Sequence, residues 1–209
     1  MKILEVKNLA LEGAKVIRFA RFKDERGYFS EIYNSNDFSQ NPQLDFLKGL
    51  NIVQQNESFS KAGTIRGLHF QWDPSLSKMV RVINGRMLDA ALDIKKNSPT
   101  FGKIILYELK SDPTEEYAEW VWLPAGFAHG MFILEDTRVE YLCDSSYNSK
   151  AEASINPLAE DLDWSLCDKK LQDEFVKLTT GQVLISQKDK NGFSFADWTK
   201  DSRSENFKI

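Results

Sequence analysis

The chain reads as a mainly β protein, a barrel or sandwich carrying a few short helices, and three observations predict this. Between residues 46 and 147, short runs rich in β-branched and aromatic residues follow one another at the close spacing of an all-β domain. Turn signals separate these runs: Asn84-Gly85, Asp-Pro at 73–74 and 112–113, and Ser98-Pro99. Helical patterning is confined mainly to two places, 37–48 and 166–181. At 209 residues such a protein normally has one core, so 1–209 is read as a single domain.

Taken in order, the first helical piece lies at 37–48. Strands are expected in GLNIVQQNESF, GTIRGLHFQ, KMVRVIN, RMLDAALDI, FGKIILYELK, EWVWLP, HGMFILED and RVEYLC. Asn84-Gly85 joins two of these runs and predicts a hairpin, since both residues accept the positive φ of a type I′ turn. Gln54, Asn56 and Ser58 alternate, so they share one strand face, and three polar groups pointing inward imply a wet interior. The second helix, LCDKKLQDEFVKLTTG, has Asp168 to cap it and Gly181 to end it. The polar residues 199–209 are expected to fray or to lie over a neighbour.

Composition narrows the function. A net charge of −4 and a pI near 5.4 argue against nucleic acid or an anionic membrane as the main partner. Charges at Glu5, Lys7, Glu12 and Lys15 break up any signal-peptide core, and no long apolar run follows, so a cytoplasmic location is expected. Cys143 and Cys167 are too few for a disulfide framework and form no CxxC pair.

The two histidines are the only ones in the chain, and each sits in a glycine-bounded apolar segment: His69 in GTIRGLHFQ, His129 in LPAGFAHGMF. Such imidazoles have protonation states set by their neighbours. Together with FKDERGYFSE, KMVRVINGRMLDAALDIKKNSPTFG and LISQKD, these segments resemble the dTDP-4-dehydrorhamnose 3,5-epimerase family over most of 20–198. The resemblance implies a cupin-type jelly-roll β-barrel with short helices, working without cofactor or metal as a homodimer with shared sites. The implied reaction is inversion at C3, C5 or both of a nucleotide-linked 4-keto-6-deoxyhexose, dTDP or CDP, in deoxysugar and surface-polysaccharide synthesis. The C4 keto group acidifies the neighbouring C–H bonds, so a base removes one proton and an acid returns another from the opposite face.

Residue by residue, the resemblance makes His69 the base and Asp189 its paired carboxylate, which would fix the imidazole tautomer. Lys78 would face the enolate oxygen, while Arg66 suits a diphosphate or sugar oxygens. Arg66 and His69 would point to opposite faces of an unbroken strand, so Gly67 should mark a bulge if both line one cavity. His129 matches a second active-site histidine, and Asp93 a barrel aspartate supporting the polar centre. Arg26, Phe29 and Glu31 match a segment that reaches the nucleotide of the neighbouring subunit, and Tyr147 an aromatic that stacks on the base.

One departure stands out. The family's general acid is a tyrosine thirteen residues after the second histidine; that count reaches Leu142 here, and one more reaches Cys143. With Cys143 at that position, the nearest phenol, Tyr141, would lie on the same face about 7 Å away. Cys143 and Tyr141 are therefore both candidate donors, and inversion at a single centre becomes an alternative. Other readings are a keto-isomerase of the same substrates, an inactive nucleotide-sugar-binding barrel, and a metal-dependent cupin. The last is disfavoured because the two histidines are sixty residues apart and form no HxH pair.

Overall fold

The protein is described by a computed structural model over residues 1–208. Its strands are β1 (Ile3–Asn8), β2 (Lys15–Ala20), β3 (Phe22–Asp24), β4 (Gly27–Phe29), β5 (Gln54–Ser60), β6 (Thr64–Gln71), β7 (Lys78–Asn84) and β8 (Arg86–Asp93). They continue with β9 (Ile104–Lys110), β10 (Tyr117–Leu123), β11 (Phe127–Ile133), β12 (Thr137–Cys143), β13 (Glu152–Ser154) and β14 (Leu184–Ile185). Four helices accompany them: α1 (Ser35–Gln40), α2 (Lys169–Thr180), α3 (Gln187–Lys190) and α4 (Phe195–Lys200). Two 3-10 turns, Pro42–Leu47 and Ser202–Phe207, complete the described elements.

One sheet runs β1-β2-β10-β7-β12-β5, and a second, facing it, runs β13-β6-β11-β8-β9 with β14 parallel to β6. From β5 to β12, successive strands cross from one sheet to the other except at the β8–β9 pair, which is jelly-roll wiring. Alternation along each strand separates the layers. Val80, Val82, Val121 and Val139 meet Met87, Ala91, Phe127 and Met131 between the sheets. On the outer face of the second sheet, Phe70, Leu88 and Phe132 are covered by Phe175 of α2, Trp198 of α4 and Phe207. On the outer face of the first, Trp120, Trp122 and Leu142 are covered by Phe38, Leu44 and Leu47.

The helix expected at 166–181 forms as Lys169–Thr180, with the Asp168 carboxylate accepting from the N–H groups of Lys170 and Leu171 and Gly181 at its end. Two expectations need correction. Asn84-Gly85 is no hairpin: β7 pairs with β10 and β12, β8 with β9 and β11, and of the two turn residues only Gly85 has positive φ. The turn is a corner between sheets, and Gly85 is required because a Cβ there would lie 2.4 Å from the Asp136 carbonyl oxygen. The strand expected at 49–59 begins only at Gln54, while β1 and β2, ahead of the expected β region, had gone unread. The C-terminal stretch does not fray: Phe207 and Ser204 are buried.

Candidate active site

Six strands bring the functional side chains to one end of the space between the sheets. Facing side chains line an outer cavity of about 310 Å³: Gln54 and Asn56 of β5, His69 and Gln71 of β6, Lys78 of β7, Tyr141 and Cys143 of β12, and Tyr147 and Glu152 beyond them. A smaller inner cavity of about 60 Å³ lies behind it, lined by Arg66, His69, Lys78, His129, Gly130, Met131 and Tyr141. His69, Lys78 and Tyr141 are common to both walls.

The bulge expected at Gly67 is present. The β6–β11 register pairs His129 with His69 but Met131 with Arg66, one residue out of step, and Gly67 has φ +120°. Arg66 and His69 thereby reach the same inner cavity, with the Arg66 guanidinium held by Ser60 Oγ at 2.9 Å. Only glycine fits at 67, since a Cβ would meet Gly130 Cα at 2.5 Å and the His129 carbonyl oxygen at 2.7 Å.

Each histidine has a carboxylate. His69 Nε2 lies 2.7 Å from Asp189 Oδ1, and His129 Nε2 lies 2.6 Å from Asp89 Oδ1. A carboxylate at Nε2 holds the proton there and leaves the lone pair on Nδ1. Burial pushes the Asp189 carboxyl up, but bonds from His69, Ser186 and the Gly67 backbone bring it net below the ordinary carboxylate range. Asp189 is presented by α3, whose first turn is capped by the Ser186 hydroxyl.

Burial drives the Lys78 ammonium down, opposed by charge at Cys143, Asp89 and Glu152. Tyr141 is pushed up by burial and by Cys143, against Arg66, so its phenol keeps its proton. The Cys143 thiol is also raised by burial, against Lys78, and its Sγ lies 3.9 Å from Asn56 Nδ2.

Asp93 must be corrected. It is fully buried but serves the loop after β8, accepting from Lys95 N at 2.9 Å, Ser98 Oγ at 2.5 Å and Thr100 Oγ1 at 2.6 Å. The β8 carboxylate that meets His129 is Asp89, on the same strand face four residues earlier. Asp89 and Asp93 are the two acids at inward positions of β8, so strand alternation alone does not choose between them. Ser58 keeps the expected alternation, but its buried hydroxyl finds no partner among the described residues. Arg26, Phe29 and Glu31 do not reach this cavity. Arg26 pairs with Asp24 on the β3–β4 ribbon, Phe29 is 69% exposed, and Glu31 meets the Met1 amino group and Asn34 Nδ2. Tyr147 stands at the rim, its backbone N–H donating to Gln54 Oε1 at 3.0 Å and its hydroxyl to Glu152. Glu152 and its ion-pair partner Lys188 were unforeseen; Lys188 adjoins Asp189, but nothing in the sequence singles out Glu152.

Comparison with known proteins agrees with this arrangement. The sequence profile for dTDP-4-dehydrorhamnose 3,5-epimerase matches residues 8–197. The dTDP-4-dehydrorhamnose 3,5-epimerase of Methanothermobacter thermautotrophicus is 36% identical over 187 residues, covering 87% of this chain and 89% of its own. The Legionella pneumophila dTDP-6-deoxy-D-glucose-3,5-epimerase, solved with dTDP-4-keto-L-rhamnose, superposes with a TM-score of 0.75 at 30% identity, over 91% of this chain and 92% of that one. A 3′-monoepimerase from Streptomyces bikiniensis, solved with dTDP-quinovose, gives 0.76 at 27% identity, over 93% and 89%. With paired histidines and carboxylates, a lysine and a phenol around one cavity, and with this similarity along nearly its whole length, the chain belongs to the dTDP-4-dehydrorhamnose 3,5-epimerase family, isomerases of nucleotide-linked 4-keto-6-deoxysugars.

Proposed function

We propose that this protein inverts C3 and C5 of a dTDP-linked 4-keto-6-deoxyhexose, with His69 as base and Tyr141 as the acid that returns the proton. The observation that carries this reading is that His69, Lys78 and Tyr141 line both cavities, with His69 in one sheet and Tyr141 in the facing one. Base and acid then flank the sugar ring from opposite sides, as inversion requires. His69 Nδ1 takes the proton while Asp189 steadies the imidazolium. The Lys78 ammonium offsets the charge that develops on O4. Tyr141, held protonated by burial, donates on the other face.

Tyr141 is favoured over Cys143 because the thiol lines only the outer cavity. The count that pointed to Leu142 or Cys143 runs through the β11–β12 turn, where one residue fewer alters the tally without altering the site. His129, held by Asp89, and Arg66 serve the sugar and diphosphate oxygens. Tyr147 and Gln54 serve the base at the rim. The exposed ribbon carrying Arg26, Phe29 and Glu31 completes the site of a second copy in a homodimer. Two free cysteines suit a cytoplasmic enzyme of deoxysugar synthesis.

Proton NMR of dTDP- and CDP-linked 4-keto-6-deoxyglucose in D₂O, with the His69→Ala variant alongside, tests this. Deuterium is expected at both C3 and C5 of the dTDP sugar, and only with His69 present. Incorporation at C3 alone would make the protein a single-centre epimerase, and exchange that persists in His69→Ala would remove the base assignment.

A further inference from the structure

We propose that the C-terminal segment from Phe195 to Phe207 is a clasp that holds His69 against Asp189, with Trp198, Arg203 and Phe207 as positioning residues. This rests on the reading of His69 as the base. The family profile ends at residue 197, so these three residues lie beyond it.

The clasp touches both halves of the pair. Phe70 and Trp72 follow His69 on β6 and its extension, and Phe70 packs among the outer hydrophobic layer. There Trp198 lies 4.5 Å from Phe70 and 6.3 Å from Trp72 between ring centres, and Phe207 lies 5.8 Å from Phe70. Trp198 is 1% exposed and Phe207 3%. On the other side, Asp189 belongs to α3, a four-residue helix too short to hold itself in place. The strand-like segment just after it is fixed by Phe193, which exchanges backbone hydrogen bonds with Ser154 and Asn156 at 2.9 and 2.8 Å and packs 5.8 Å from Trp198. The Arg203 guanidinium bridges the two halves, 5.6 Å from the Trp72 ring and 5.4 Å from the Phe193 ring, aligned by Asp201 at 2.8 Å. The far end is anchored to a third place: the Phe207 carbonyl accepts from Lys96 N–H at 3.0 Å, and the Lys96 ammonium pairs with Glu205.

One packed unit therefore sets the spacing between β6 and α3. A displacement of about 1 Å at a reacting group costs up to about a hundredfold in rate, whereas Trp198, Arg203 and Phe207 line neither cavity and so make no direct contact on which substrate binding would depend.

The test uses full-length Phe207→Ala, Phe207→Leu and Arg203→Ala. Steady-state kinetics are paired with the imidazole ¹⁵N spectrum, in which His129 is the internal control because the chain has two histidines. Phe207→Ala and Arg203→Ala are expected to lower kcat by about tenfold to a hundredfold with little change in KM. The His69 Nε2 resonance should move away from its carboxylate-bonded position, that of His129 should stay, and Phe207→Leu should recover most of the rate. Wild-type kcat with an unmoved His69 resonance, or a rise in KM alone, would overturn the clasp. Should Phe207→Ala fail to fold, Arg203→Ala, at a partly exposed side chain, decides by the same readings. Loss of exchange in His69→Ala with full kcat in the clasp variants sinks the clasp alone. Exchange retained in His69→Ala sinks the base assignment instead.

Discussion

Asp189 and Asp89 illustrate what a residue-level reading of the sequence can and cannot reach. Asp189 was legible through the motif it sits in, and the structure sets it 2.7 Å from His69. Asp89 was passed over for Asp93, because both occupy inward positions of β8 and only the stagger of β11 against β8 decides which one meets His129. The donor is open to direct test. Tyr141→Phe should lower the exchange rate by about 10²–10⁴, the usual worth of a general acid, while Cys143→Ala should change it little. The pH profile separates Lys78 from Tyr141. Burial moves the lysine down and the phenol up, so the alkaline limb of kcat/KM should fall below the ordinary lysine value of about 10.4. Lys78→Arg should carry that limb upward, and Tyr141→Phe should leave its midpoint in place. Asp189 adds a stability signature. Its carboxyl is held below its unfolded value of about 3.9, so its contribution is present above that pH and disappears as the pH falls through the folded-state value. Chemical denaturation of Asp189→Asn and wild type should therefore differ at neutral pH and converge in acid.

Among the elements, α2 was readable to the residue because its capping side chain and terminal glycine are local chemistry. The corner at Asn84-Gly85 was misread for the opposite reason. A tight turn between two β-rich runs looks the same whether the strands pair or part, and the partners that part them, β12 and β11, are remote in sequence. β1 and β2 escaped because their alternation is interrupted by charges at Glu5, Lys7, Lys15 and Arg18. Gly67 was found by arguing that Arg66 and His69 must share a cavity, and it yields a sharp expectation. Gly67→Ala meets backbone atoms that cannot move aside and should cost about 3–5 kcal/mol in unfolding free energy, at the severe end for single substitutions. Gly181→Ala, with its nearest neighbour at 3.5 Å and negative φ, should stay within about 1 kcal/mol.

At the scale of the whole molecule, the ribbon of β3 and β4 holds Phe22, Tyr28 and Phe29 out to solvent, all exposed, and Arg26 with them. A dimer in which this ribbon enters the neighbouring site should scatter light as twice the 24.0 kDa chain. It should also complement: Arg26→Ala and His69→Ala protomers, each impaired alone, should regain exchange on mixing, because one site of the mixed dimer then carries both native residues. A monomer, or mixtures no better than their parts, would speak against shared sites. The corner at Gly85 bears on a different property, the order in which the chain assembles. Because β7 and β8 part company, neither can be stabilised by its sequence neighbour across that turn: β8 finds β9 after a short loop, but β7 waits for β10 and β12, made dozens of residues later. Within the two large sheets the β8–β9 and β1–β2 pairs are the local starting points, and the sheets close only once β10, β11 and β12 have been delivered. Refolding should therefore fall in the milliseconds-to-seconds range of proteins dominated by distant contacts, and a chain emerging from the ribosome should stay incomplete until β12 is out.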